Sequence, residues 1–576
     1  MTRPSGQALD AYRSEGDAYA DQLIASVLEA PATETETQAG FAENLKRYRY
    51  NHLLSVADRL LISPELMLRQ DSEMAREMSR YPQAMRDYYS PVDLPDWVEP
   101  ARLRRASELW QDNMLAILGV LYAASLPYCY TIRHGLPLLY DSGKLLKPEF
   151  IYQRIHETGV MLEAVMKQDG LRVVEDIGDA FRTAFERALK QLRPEGQWSW
   201  KQGEFHWHGE QSDLPEWDEI LQTMEEQAGN TGGLSQRRFL WGDGLVATRK
   251  VRLLHAAMRY MILNPTYGHV SDRFDPVPGW DIDRYGRPIN QEDLAFTLLT
   301  FSYVIPRGLE RLGCKLSLYD RECFLHCWKL VGHELGIRQE LLTDRWDEAE
   351  SLFAELLQRQ GGPCEQGKAL TATLFDFFGD YLPNTLGLNK ALGPVMVRHQ
   401  LGDTADWLMT EEQQRQSRRW LPRSLWACVC LLLAIYYPIR NRLLFRFGFV
   451  HRRMGGVLHR TGMALVDSWR GAFLRRAFYL PQYLNAAWKR PATAGPEFRQ
   501  RLRHWRHKLI NNIALGLAGL IGGVTGLAAV TIAGLFFGIE GLEWGLGACL
   551  ALVTLAGLQL GPRMNAIIAS RPRLPD

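Results

Sequence analysis

From Ile513 to Ile539 the chain runs 27 residues without a charged side chain. At 1.5 Å per residue that is about 40 Å of helix, enough to cross a hydrocarbon core of about 30 Å with some tilt. Lipid offers the backbone no hydrogen bonds, so a single segment of this kind is confined to a helix. A second run, Trp544–Leu560, has 17 uncharged residues, and only Glu540–Glu543 separates the two. Together they read as a helical hairpin dipping through a membrane. RQRLRHWRHK precedes the hairpin, and Arg563, Arg571 and Arg573 follow it. Positive flanks mark cytoplasmic ends, so both ends of the hairpin are expected inside, with the acidic turn outside. Gly519 with Gly523, and Gly522 with Gly526, give the small-xxx-small spacing that suits close helix contact. A third apolar stretch, Leu425–Tyr437, has 13 uncharged residues, about 20 Å of helix, and is expected to be too short to cross.

The remaining chain reads as a helical globular domain. Apolar residues make up 46% and charged residues 23%, enough to build a core. Net charge is +1, yet Arg418–Lys508 holds 19 Lys/Arg against Asp467 and Glu497 alone. A basic block beside apolar runs favours a membrane surface over nucleic acid. The N-terminus lacks a signal-type apolar stretch, which predicts a membrane protein with its main domain in the cytoplasm. Eight scattered cysteines form no CxxC pair, as expected of reduced, mostly buried thiols. Cys323, His326 and Cys327 share a helical stretch, but no second pair completes a zinc site.

Residues 1–40 read as a polar, flexible lead-in, and 41–440 as a helical domain. Helices are expected over Arg102–Ala124, ended by Pro127, over Pro148–Lys167, through TRKVRLLHAAMRYMIL, and over Asn290–Leu312 and Leu318–Leu335. The polar, aromatic, turn-rich stretch at about 171–243 reads as an insertion between two core helices. A basic juxtamembrane region (441–508), the hairpin (509–564) and a basic tail (565–576) complete the chain. The expected fold class is all-α.

Few residues could carry chemistry. On the RLLH helix, Val251, Leu254, Met258 and Ile262 mark an apolar face, with His255 beside it. An imidazole held there suits an iron ligand; a satisfied core histidine fits the same pattern. Arg252 and Arg259 flank that face, as partners of an anionic cofactor or as ordinary surface arginines. Arg154 and Thr158, four apart, share one face of a largely apolar helix. Such an arginine needs an anion, a polarised ligand or a distant carboxylate. His206 and His208 form HxH in a polar loop and read as solvated. Asp272, Asp275, Asp281 and Asp283 match no calcium loop and read as capping the helix that follows.

SGKLLKPEFIYQRIHET, GDGLVATRKVRLLHAAMRYMI, GRPINQEDLAFTLLTFSYVIPRGLERLG and CFLHCWKLVGHELGI together resemble the catalytic domain of the rubber-oxygenase (latex clearing protein) and MpaB family, over roughly residues 95–440. The resemblance implies a multi-helix haem-binding core. His255 then corresponds to the proximal ligand of haem b, and Arg154 and Thr158 lie on the distal side. Arg252 and Arg259 become candidates for the haem propionates. Rubber-cleaving members carry a lysine just before that threonine; here it is Glu157. The expected activity is a haem-b-dependent oxygenase taking dioxygen and an apolar, possibly unsaturated isoprenoid or acyl substrate at the membrane, with Leu425–Tyr437 beside the pocket mouth. A haem-binding sensor or carrier, and a haem-free membrane adaptor, are the competing readings.

Overall fold

The computed structural model describes residues 6–39, 45–59, 82–89, 94–137, 148–176, 179–201, 204–208, 214–215, 219–220, 223, 237–264, 280–379, 388–444, 446–469, 496–537 and 542–572. Helices dominate. In chain order, those that frame the site are α1 (Ala18–Leu28), α2 (Pro100–Val120), α3 (Pro148–Met166), α4 (Asp179–Leu192), α5 (Asp243–Leu263), α6 (Gln291–Ser302), α7 (Val304–Arg311), α8 (Leu318–Glu334), α9 (Glu365–Gly379), α10 (Leu388–Leu401), α11 (Glu411–Arg418), α12 (Trp420–Ile439), α13 (Gly448–Trp469), α14 (Pro496–Phe537) and α15 (Leu542–Leu558). One hydrophobic core runs through α1–α3 and α5–α10, with Trp110, Phe296, Phe324 and Trp328 among its fully buried side chains.

Two expected helices are interrupted, each near a proline. Asn290–Leu312 divides at Tyr303 into α6 and α7, because Pro306 has no N–H to return to Ser302. α2 does not stop before Pro127. Leu121–Ser125 widens into a π turn, with the Leu126 N–H bonded to Leu121 O, and Leu126–Cys129 adds one more turn.

The stretch after α3 has its own small core. β1 (Arg172–Asp176) and β4 (Arg237–Trp241) pair antiparallel at its neck, Arg172 opposite Trp241. β2 (Trp198–Lys201) and β3 (Glu204–Trp207) form a hairpin whose Trp198 and Trp207 rings stack 6.3 Å apart. Phe185, Ala188 and Leu189 of α4 bury against Ile220, with those tryptophans alongside. These short ribbons are the strands that a purely helical reading leaves out.

α13, inside the basic stretch, docks on α2 and α3. His451 Nε2 lies 2.7 Å from Asp112 Oδ1, and His459 Nε2 lies 3.0 Å from Glu163 Oε1. Glu163 also accepts from Trp110 Nε1 at 2.7 Å. α14 carries the basic RQRLRHWRHK turns directly into the apolar run as one 42-residue helix. Its Gly519, Gly523 and Gly526 face α15, Gly516 faces Leu560 just beyond it, and a Cβ on Gly519 would sit 3.3 Å from Ala556 Cβ. Gly522, expected in the same contact, faces open space.

Among the described residues, three helical stretches are long and apolar enough to cross a membrane: Trp420–Arg442, Gln500–Gly534 and Trp544–Ala569. The first corrects the expectation drawn from Leu425–Tyr437. The helix outruns the uncharged segment at both ends, to 23 residues, and at its C-terminal end Arg440 is taken up by Asp112 O and Asn113 Oδ1.

Candidate functional site

The site is built where α3 and α5 meet. Gly242 (φ +122°) turns the chain out of β4, and the Gly244 N–H donates to Gly170 O at 2.7 Å. A Cβ on Gly244 would lie 2.8 Å from Ala164 O and 2.9 Å from Val165 Cα, so glycine lets α5 start against the last turn of α3. From this shared end the two helices pack along one another.

Helical periodicity then fixes what meets across the interface. His255 is 11 residues beyond Gly244, about three turns, so it projects to the same side as Gly244, toward α3. Position 154 is 11 residues before Val165 and Thr158 is seven before it, about three turns and two turns. Both positions therefore share the Val165 face, toward α5. His255 and position 154 are level, each about 16 Å from the shared end. The Arg154 side chain lies outside the described residues.

His255 is half-buried, and Ala256 and Ala257 after it are fully buried. Thr158 is half-buried beside buried Glu157, while His156 turns away to Val466 O of α13, 3.0 Å from its Nδ1. Among the described residues no three His, Cys, Asp or Glu side chains converge as a metal site. A porphyrin brings its own ring nitrogens and asks the protein for an axial donor. An imidazole on a helix, backed by small residues, fits that demand.

Arg252 and Arg259, expected on the propionates, are committed elsewhere. They lie about 80° and 60° around α5 from the Gly244 face. Arg252 grips Asp17 with Nε at 2.6 Å and Nη2 at 3.0 Å. Arg259, 1% exposed, binds Asp21 through Nε at 2.7 Å. Its Nη1 donates to Ile289 O at 3.0 Å and so holds a β-branched residue at φ +52°, a conformation such residues avoid. Both arginines fasten α1 to α5. Asp21→Ala is accordingly expected to cost about 3–5 kcal/mol, the usual result of leaving a buried charge unpaired. Denaturant unfolding in detergent measures it; unchanged stability would remove this assignment.

The other sequence candidates are structural where they are described. Asp281 caps a short turn at Ile282–Tyr285, and Asn290 caps α6. Asp272 and Asp275 lie outside the described residues, as does the His206 side chain; exposed His208 pairs with Ser199 Oγ at 2.8 Å. His326 is fully buried, its Nε2 accepting from the Glu99 N–H and its Nδ1 2.9 Å from Asp344. All eight cysteines are free, and Cys428 is exposed.

Two features escaped sequence reasoning. Burial first, then the Glu292 charge, pushes the Asp293 carboxyl up to about 7. The adjacent acids of PINQEDL are the signal that could have found it, because two buried carboxylates side by side cannot ionise freely. Tyr122, on the π turn, buries a hydroxyl that finds no partner. No sequence signal marks a π turn.

Residues 229–461 match the family model described as ER-bound oxygenase mpaB/B'/Rubber oxygenase, catalytic domain. His255 falls within the match, and Arg154 and Thr158 precede it. The Rubber oxygenase of Streptomyces sp. (strain K30) is 26% identical over 163 residues, which span 28% of this chain and 36% of that relative. The solved structure of latex clearing protein LCP in the closed state is similar with a TM-score of 0.44 and 17% identity, covering 77% of this chain and 91% of that one.

Proposed function

We propose that this chain, whose residues 229–461 match the mpaB/rubber-oxygenase catalytic-domain family, is a haem-b-dependent oxygenase acting on an apolar isoprenoid or acyl substrate, saturated or unsaturated, at a membrane. The reading rests on helical spacing: His255 and position 154 each lie about three turns from the shared end of the packed helices α5 and α3, and position 158 about two turns. Haem b, when bound, supplies the iron that activates dioxygen. His255 would hold it through one imidazole nitrogen. Arg154 would supply a permanent positive charge to the bound reactants, an electrostatic role worth most in a dry site. Thr158 would shape the pocket or orient a water. Arg252 and Arg259 have no part in this assignment beyond fastening α1 to α5. Glu157 stands where rubber-cleaving relatives carry a lysine, so the base of the rubber-type reaction is not carried over to this chain.

The deciding measurement is the visible spectrum of detergent-purified protein with oxygen uptake on an alkene panel. A Soret band with uptake is expected. A band without uptake on any substrate would leave a sensor or carrier, and no band a haem-free adaptor.

The hairpin sets the topology. With α14 and α15 as the crossing helices, the catalytic domain and Asp576 share the cytoplasmic side. A reporter active only outside the cytoplasm is expected to stay silent when fused after Asp576. Activity there, or a protein that remains in solution without detergent, would overturn this arrangement.

A further inference from the structure

We propose that the outward face of α12 is a second lipid contact, and that this helix lies in the bilayer surface without crossing. The inference rests on the membrane reading of the hairpin. By length and composition α12 could cross, but its contacts describe another disposition. The Trp426 ring meets His399 edge-on at 6.0 Å, and Cys430 Sγ lies 3.8 Å from His399 Nε2. Ala434 passes so near Gly313 that a Cβ there would sit 2.6 Å from the Ala434 Cα. Tyr437 is buried, and Arg440 donates to Asp112 O at 2.8 Å and Asn113 Oδ1 at 2.7 Å. These positions recur every three or four residues, so one flank of the helix is laid on the catalytic domain for about 20 Å.

Both ends are held as well. Before α12, Arg418 pairs with Asp406 at 3.3 Å and Arg398 Nε donates to Ser417 Oγ at 2.7 Å. After it, α13 is docked on α2 through His451 and Asp112. A helix tied at both ends and along one flank to the same domain has no free end to carry across a bilayer.

The other flank is apolar and open. Leu425, Val429 and Leu432 stand at helical spacing, joined by Ile435 and by Leu431 at 63% exposure. At the N-terminal end Trp420, 77% exposed, sits between exposed Arg419 and Arg423. An indole among cations beside an apolar stripe suits the headgroup–acyl boundary: the ring seats at the interface and the arginines reach anionic headgroups. α12 also packs against α14, so this face continues the surface of the hairpin.

The test uses the full chain in phosphatidylcholine/phosphatidylglycerol vesicles. Leu431→Cys, made with Cys428→Ser and Cys549→Ser, carries a bimane fluorophore; the same protein without Leu431→Cys gives the background. Expected are flotation with the vesicles, strongest loss of fluorescence from lipids brominated near the headgroup, and protection from aqueous iodide. Strongest quenching by bromines at the bilayer centre would mean a crossing helix and overturn the proposal. Flotation with iodide quenching alone would put α12 in water, leaving the hairpin intact and this inference refuted. Flotation with neither quencher effective, and cross-linking between copies at residue 431, would make the face a protein interface and equally refute it. Failure to float would defeat the hairpin reading itself, and this inference with it.

Discussion

His255→Ala protein, expressed with ample haem and purified in detergent, is expected to show no Soret band while its far-ultraviolet helicity matches wild type. The side chain removed is half-buried in the middle of α5, with fully buried alanines on its C-terminal side. Alanine is the best helix former, so the backbone loses nothing by the exchange. What disappears is the imidazole assigned to the iron. Arg252 and Arg259 cannot replace it, because a protonated guanidinium has no lone pair to give a metal, and both are paired with Asp17 and Asp21. A variant that keeps the band would move the ligand elsewhere. Wild-type protein without any band under the same conditions would end the haem assignment.

Arg154→Ala is expected to lower turnover by about 10²–10³-fold, roughly 3–4 kcal/mol, with little change in haem content. The magnitude is that of removing one preorganised charge from a site where charge develops during reaction. Haem content would be spared because His255, not Arg154, is the residue assigned to hold the haem. Arg154→Lys should restore part of the rate, since a lysine returns the charge without the planar fork. Oxygen uptake, measured beside haem by pyridine haemochrome, separates the cases. Haem lost in step with activity would make Arg154 a structural or propionate-binding residue. Full activity in the alanine variant would remove it from catalysis.

The sequence carried the local pattern of the site well. The Pro148 start of α3 and the RLLH helix follow from a proline at a first turn and a 3.6-residue apolar period, and both are local signals. The misplaced roles of Arg252 and Arg259 have a distant cause. Their carboxylates are 235 and 238 residues away in sequence, and no periodicity within α5 announces them. The same holds for α12. Counting uncharged residues gave a short segment, whereas the helix continues and backbone and amide oxygens on α2 receive Arg440. β1 and β4 were illegible for a related reason: each strand is five residues long, and its partner lies beyond the whole insertion.

That paired neck gives the insertion a modular character. Arg172 and Trp241 face each other across an antiparallel ladder, where opposing Cα atoms stand about 5 Å apart. Two residues could bridge such a gap. The Gly170–Gly244 contact that seats α5 on α3 lies outside the ladder, on the core side. Helices α3 and α5 therefore touch before the chain departs into residues 171–243, and β1 and β4 form a stem for that stretch. A graft that joins Arg172 to Trp241 is expected to leave the seating of α5 on α3 in place.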